Sequence, residues 1–367
     1  MNLAQWIKQI TQLDEFDIAG IVYNQFDGPN YDEILLGHSF AASFQRPQII
    51  LALEVWSIDS LIDLQTYLRQ KTCNIENFYI TSAWQPRLAT WWNNYCSSRV
   101  YNQRTFNIVE VFDIPFHDEY LQSLEFPGSV LNFWKRDSWY TDCYNIDINS
   151  TKELNYYFSY MCGTGPGGYD IGYAKHYLAL QMLQFEPDAV VSLAWSLIDK
   201  HTLKSFVDYS LYWQDQDLVD LIDTQYQKVE KRPTDQIPID NFVPDSGKFY
   251  KNSFATVVRE SFLTQPFGAI TEKSLRALLA GQFIIPTTHL GVADLEDRHF
   301  QFDHNLFDYS YQFESNFIKR INLLCQSLRE FIKSYSLQDL DLYRQTHLDM
   351  FIHNQNLAVS QTNLFKN

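Results

Sequence analysis

A chain of 367 residues is long for a single core, so two domains are the natural expectation. Its formal charge of −16 at pH 7, with no basic stripe, disfavours nucleic acid or any other partner gripped through phosphates over a broad surface, while leaving room for a local pocket of one or two cations. No apolar run approaches the ~20 residues a membrane-spanning helix needs. The opening residues, Met1-Asn2-Leu3-Ala4-Gln5-Trp6, carry neither a basic region nor a cleavable apolar segment, so a cytoplasmic location is expected.

Residues 2–13 have the spacing of a short amphipathic helix, with Leu3, Trp6, Ile7 and Ile10 on one face. Residues 17–23 (DIAGIVY), 49–55 (IILALEV), 77–81 (NFYIT) and 106–112 (FNIVEVF) read as strands, and the second is apolar enough to be buried on both faces, as parallel strands are. Helices are expected at 57–69, where Ile58, Leu61, Ile62, Leu64 and Leu68 recur, and at 87–95. A second series begins near Asn145: a strand at 155–162, a glycine-rich turn at 163–168, a helix at 170–184, a strand at 189–193 and a mainly helical 202–222. Residues 231–251, with Pro233, Pro238 and Pro244 among polar neighbours, read as a loop. There follow a strand at 253–259, a helix at 271–280, a strand at 283–286, a long helix at 311–334 and a last one at 338–354. Strands alternating with helices imply βαβ units and mostly parallel sheets, hence an α/β fold of two sequential lobes.

Several residue groups have chemistry to weigh. The turn Gly163-Thr164-Gly165-Pro166-Gly167-Gly168 lies between a strand and a helix, where backbone amides can meet phosphate oxygens; it is neither GxGxxG nor a Walker loop, and taken alone a plain turn accounts for it better. Lys175, one or two turns into the following helix, can bring charge to the same place. Between the strands at 253–259 and 283–286, Thr271 suits a helix N-cap, Glu272 favours the positive end of the helix dipole, and Gly281 suits the position just past the helix end. A capped crossover helix with a solvated Glu-Lys pair explains that segment without any ligand. Glu54, at the end of the second strand, suits a general base beside a cleft, or a carboxylate paired with a nearby cation; Asp14, Asp17 and Asp59 are poorer candidates. Asp215-Gln216-Asp217 mimics a metal-binding DxD but sits in a helical stretch, and His289, His299 and His304 lack metal-ligand spacing, so no metal site is expected. Cys73, Cys96, Cys143, Cys162 and Cys325 are scattered without a CxxC and read as reduced thiols. Aromatic pairs such as Trp91 with Trp92 and Tyr156 with Tyr157 suit a core better than a sugar platform.

The order of strand, acidic residue, Ile270-Thr271-Glu272-Lys273, apolar helix, Ala280-Gly281 and strand resembles the donor-binding motif of the α1,3-fucosyltransferase family and of related glycosyltransferase-like proteins of phages and bacteria. The match is densest over 253–290 and extends more faintly over 152–325. That resemblance implies a GT-B fold of two Rossmann-like lobes: an acceptor lobe at 1–145, a nucleotide-sugar donor lobe at 146–325, and C-terminal helices at 326–367 that cross back toward the first lobe. It implies that Glu260, Glu272 and Lys273 contact the ribose and diphosphate of a nucleotide-diphosphate sugar, GDP-linked by analogy. Gly165, Gly168, Lys175 and Thr271 complete the donor set, and Glu54 is the catalytic base of an inverting, metal-independent transfer to an acceptor hydroxyl. The sequence departs from the family where Lys175 stands in place of an arginine, and where the Ser-Pro pair expected after Glu54 is missing. No cofactor beyond the sugar donor is implied. The other reading is a degenerate relative that binds a nucleotide or a protein partner without turnover.

Overall fold

The computed structural model of the chain describes residues 3–22, 46–52, 58–71, 74–83, 87–98, 105–111, 148, 153–162, 169–193, 250, 252–260, 263 and 270–362. The chain divides into two units, residues 1–137 with 267–270 and 359–367, and residues 138–266 with 271–358. Among the described residues no helix is long and apolar enough to cross a membrane.

The first unit opens with α1 (Leu3–Thr11), whose Trp6 and Ile7 are buried. Four parallel strands follow, β1 (Asp17–Val22), β2 (Gln48–Ala52), β3 (Phe78–Ala83) and β4 (Asn107–Val111), side by side in sequence order. Helices α2 (Ile58–Lys71) and α3 (Leu88–Ser97) make the crossovers from β2 to β3 and from β3 to β4. Ile49, Ile50 and Leu51 are fully buried, as expected of a parallel strand covered on both faces. Trp92 is core, stacked on Phe106 with ring centroids 5.0 Å apart, whereas Trp91 is 36% exposed.

The second unit contains another all-parallel sheet, of β5 (Tyr156–Cys162), β6 (Ala189–Leu193), β7 (Ser253–Val258) and β8 (Phe283–Pro286). Its spatial order is β6-β5-β7-β8. Helix α4 (Tyr169–Leu183) joins β5 to β6, and α5 (Glu272–Leu279) joins β7 to β8. All residues of β7 and β8 are buried. Where β7 carries hydroxyls, they are satisfied internally: Ser159 and Thr256 meet at 3.1 Å, and Ser253 and Thr256 donate to Gln282, whose own amide donates to the Tyr250 carbonyl at 2.6 Å. Gly281 ends α5 with φ +66°, its N–H donating to the Leu278 carbonyl while the Gln282 N–H reaches the Ala277 carbonyl. Only glycine suits this Schellman turn, because a Cβ there would lie 2.5 Å from Ile148 Cγ1.

The core of this sheet is closed by the C-terminal helices α7 (Phe317–Ser334), α8 (Leu337–Thr346) and α9 (Leu348–Thr362), which follow a short helix α6 (Gly291–Glu296). Phe254 of β7 sits at their meeting point, with ring centroids 5.4 Å from Phe283, 6.1 Å from Phe331, 6.1 Å from Tyr343 and 6.2 Å from Phe351. One ring thus ties β8 and all three helices to the sheet. Asn354 fastens α9 further, accepting from the Gln301 N–H and donating to the Gln301 carbonyl, both at 2.8 Å.

Three features differ from the expectation. The long helix begins at Phe317 rather than 311, because Asn316 caps it through Lys319 N–H, while Ser310–Phe313 forms a 3-10 turn. In and beside that turn, the Tyr309 and Tyr311 hydroxyls donate to the carbonyls of Ile284 and Pro286 in β8. The last helix is broken at His347, whose ring stacks on Tyr343 at 4.0 Å, and α8 starts from a capping box of Ser336 and Asp339. The six residues of α6 are too few for a periodic pattern.

Candidate functional site at the carboxyl edge of the second sheet

From β5 the chain moves to β6 on one side, whereas β7 and β8 lie on the other. The winding reverses between β5 and β7, and in open parallel sheets ligands bind outside the carboxyl ends of the strands at such a switch point. Tyr160 pairs with Val257, so the carboxyl ends of both strands lie at one edge of the sheet. In the sequence β5 is followed by the glycine-rich stretch 163–168, which lies outside the described residues, and β7 by Arg259 and Glu260.

Glu260 is 1% exposed and is built into the amino end of α5. Its Oε1 accepts from the Thr271 N–H at 3.0 Å and from Ser274 Oγ at 2.6 Å, and its Oε2 accepts from Thr271 Oγ1. Thr271 Oγ1, having given its proton to Glu260, accepts from Lys273 N–H at 3.4 Å and from Lys273 Nζ at 3.2 Å. Thr271 is therefore the N-cap, as its sequence position predicts, and it carries the Lys273 ammonium onto the first turn of the helix. Burial raises the Glu260 pKa above the ordinary 4.5, against the pull of Lys273, Ser274 and Thr271 toward the charged form. The result is a helix amino end with an ammonium fixed beside it, and the helix dipole and the ammonium together favour an anionic oxygen at that end.

The neighbouring loops are held from behind. Thr287 donates from N and Oγ1 to the Val258 carbonyl, at 3.2 and 2.8 Å, tying the end of β8 to the end of β7. Arg320 of α7 is wholly buried; its Nε donates to the Thr287 carbonyl at 3.2 Å, its Nη1 to those of Glu314 at 2.8 Å and Ser315 at 3.2 Å, and its Nη2 to that of Leu263. One guanidinium thus joins the loop after β7 to the loop after β8. Burial lowers its pKa to about 10, partly offset by Tyr311 and Glu314, so it stays charged at neutral pH. Gly291, at the start of α6, leaves space for these contacts: a Cβ there would come within 2.5 Å of Thr288 Oγ1 and 2.9 Å of Pro286 Cβ.

Of the site residues expected from sequence, Glu260, Thr271 and Lys273 come together at the start of α5. Glu272 is the first residue of α5, and Lys175 lies on α4, just after the glycine turn; their side chains fall outside the described residues, as do Gly165, Gly168 and Glu54. Asp215 and Asp217 also lie outside them. Asp14 and Asp17 are exposed, and Asp17 Oδ2 accepts from Gln48 Nε2 at 3.2 Å. Sequence reasoning missed Ser274 and Arg320. For Ser274 the signal is its place three residues after Thr271, on the same face of the first turn. For Arg320 it is a charge on the apolar stripe Phe317, Ile321, Leu324, Leu328, where a buried guanidinium needs carbonyl partners.

No family model matches the chain, and no curated protein matches it, so the likeness to the α1,3-fucosyltransferases rests on the residues of 253–290. One solved structure that is similar is a trehalose-6-phosphate synthase, described for enzymatic glycosyltransfer with retention. It aligns with 87% of this chain and 68% of its own at 11% identity and a TM-score of 0.34, too weak a likeness to bear on the assignment.

Proposed function

We propose that this chain is a glycosyltransferase whose second lobe holds a nucleotide-diphosphate sugar, with the diphosphate at the amino end of α5. The observation that carries this reading is the coincidence of three features at the winding reversal of the second sheet: a capped helix start, the Lys273 ammonium fixed to its cap, and a motif in the order used by a donor-binding family. Lys273, with Lys175 from α4, neutralises the charge that develops on the departing diphosphate, which removes the need for a metal ion. Glu260 fixes the amino end of α5, and its placement against the ribose is carried by the resemblance of the motif. In the same reading Glu54 takes the proton of the acceptor hydroxyl, the hydroxyl oxygen bonds to the sugar carbon from the face opposite the diphosphate, and the nucleotide diphosphate leaves, inverting that carbon. GDP is the nucleotide suggested by the motif.

The closed set of hydrogen bonds around Glu260 favours a second reading, a degenerate relative that binds a nucleotide or a protein partner without turnover. Incubation with GDP- and UDP-sugars, scored by thermal shift and by release of free nucleotide, separates the two. Stabilisation with nucleotide release is the result expected of the enzyme. Stabilisation without release selects the second reading, and neither response removes the donor site from both.

A further inference from the structure

We infer that Glu260, Thr271 and Lys273 form a proton-operated latch at the head of α5: the ionised carboxylate ties the ammonium to the helix cap, and protonation of the carboxylate releases it to an anionic ligand. The latch deepens the donor reading, on which it rests for the anion it serves and not for its own working.

The three residues meet at one oxygen, Thr271 Oγ1. It contacts Glu260 Oε2, the Lys273 N–H at 3.4 Å and Lys273 Nζ at 3.2 Å. A threonine hydroxyl has one proton and two lone pairs. Both lysine groups are donors, so they occupy the two lone pairs and the hydroxyl proton goes to Glu260 Oε2. Oε2 is then an acceptor, while Oε1 accepts from the Thr271 N–H at 3.0 Å and from Ser274 Oγ at 2.6 Å, which is the pattern of an ionised carboxylate. Once a proton from water binds Oε2, the carboxyl O–H becomes a donor to Thr271 Oγ1. That takes one lone pair, and the Lys273 N–H, fixed by the helix, keeps the other. The threonine proton turns to the one remaining direction, which Nζ held, and the ammonium is displaced. The Lys273 side chain is only half-buried, so it has room to leave the cap.

Two effects make an anion prefer the open latch. Protonation leaves the ammonium and the helix dipole unopposed by a negative charge, and a bound anion in turn holds the proton on Glu260. Burial raises the Glu260 pKa above the ordinary 4.5, and Lys273 pulls it back, the one charge among the described side chains that acts on it. Other ionisable residues of this edge are Arg259 before Glu260, Glu272 and Arg276 on α5, and His289 after β8. The latch therefore opens as the pH falls through the folded-state value of Glu260.

Glu260→Gln imitates the protonated form, because its Nε2–H points at Thr271 Oγ1 as the acid O–H does. Trace acetylation of the full chain, read by mass spectrometry at pH ~8, tests the latch without a ligand: Lys273 should react at least about threefold faster in the variant than in the parent, with exposed Lys333 unchanged. Calorimetric titration with GDP-mannose, whose diphosphate diester has no proton to exchange in this range, adds the anion. The variant should bind about threefold or more tightly than the parent at pH ~8, and that ratio should fall toward one at pH ~5. Equal labelling of Lys273 in the two proteins overturns the inference. So does an affinity ratio that does not change with pH, which assigns any pH response of the parent to another group such as His289. Faster labelling of the variant with no GDP-mannose binding at either pH removes the donor reading and leaves the latch standing.

Discussion

Replacing Arg320 with alanine is expected to destabilise the second unit by about 4 kcal/mol, the largest effect of any single substitution considered for this chain. The guanidinium serves the carbonyls of Leu263, Thr287, Glu314 and Ser315 and has no exposed surface. Truncation strands those carbonyls and removes the guanidinium that lies 5.8 Å from the Phe317 ring centroid, and each unpaired buried acceptor costs roughly 1–3 kcal/mol before the loops relax. Arg320→Lys should fall between the two, because one ammonium cannot reach carbonyls set around a planar fork. Urea denaturation and hydrogen exchange of the β8 amides read the effect. Since Arg320 joins the loops after β7 and β8, protection in β8 should collapse with the stability. A denaturation midpoint unmoved by Arg320→Ala would show that the clamp contributes nothing.

Glu260→Ala is expected to cost about 3 kcal/mol, since it leaves the Thr271 N–H, the Thr271 hydroxyl and the Ser274 hydroxyl without their common acceptor in a buried place. Glu260→Gln separates charge from shape. Burial raises the carboxyl pKa in the folded state above the ordinary 4.5, so the folded protein holds the proton more tightly than the unfolded chain. The stability this contributes is complete below 4.5 and is lost as the pH rises through the folded-state value. The glutamine variant cannot ionise and lacks that loss. The difference in unfolding free energy between Glu260→Gln and the parent should therefore shift in favour of the variant as the pH rises from 4 toward neutrality. A difference that stays flat with pH would mean that Glu260 ionises in the folded state as it does in water.

Much of the fold was legible because parallel βαβ units write themselves as apolar strands between amphipathic helices. The strands at 189–193 and 283–286 were read to the residue, and the remaining described strands and the helices at α1 to α5 within a few residues of their ends. The misread boundaries belong to the C-terminal segment. There the 3.6-residue pattern runs through Tyr311 and through His347, but side-chain hydrogen bonds to β8 and a stacked Tyr343–His347 pair interrupt the backbone. The bonds to β8 are long-range contacts with no local signature, and the Tyr343–His347 stack is a local i,i+4 pair at the helix end. The same holds for the site: Thr271 as N-cap is a local signal, whereas the folding of Glu260 onto the Thr271 and Ser274 donors joins residues 11 and 14 apart in the chain. The clamp from Arg320 to Leu263 spans 57 positions. Its only trace in sequence is a charge where an apolar residue was due.

The diphosphate at the head of α5 is tested most directly by isothermal titration of GDP into the full chain and into Lys273→Ala. Lys273 is partly exposed and its Nζ donates to Thr271 Oγ1, whereas Glu260 is held by the Thr271 N–H and the Thr271 and Ser274 hydroxyls, so the substitution leaves in place the bonds that hold the helix end. Saturable binding to the parent, weakened at least tenfold by the substitution (roughly 1.4 kcal/mol), is the predicted result. Equal affinity for both proteins, or no heat of binding with either, would contradict it.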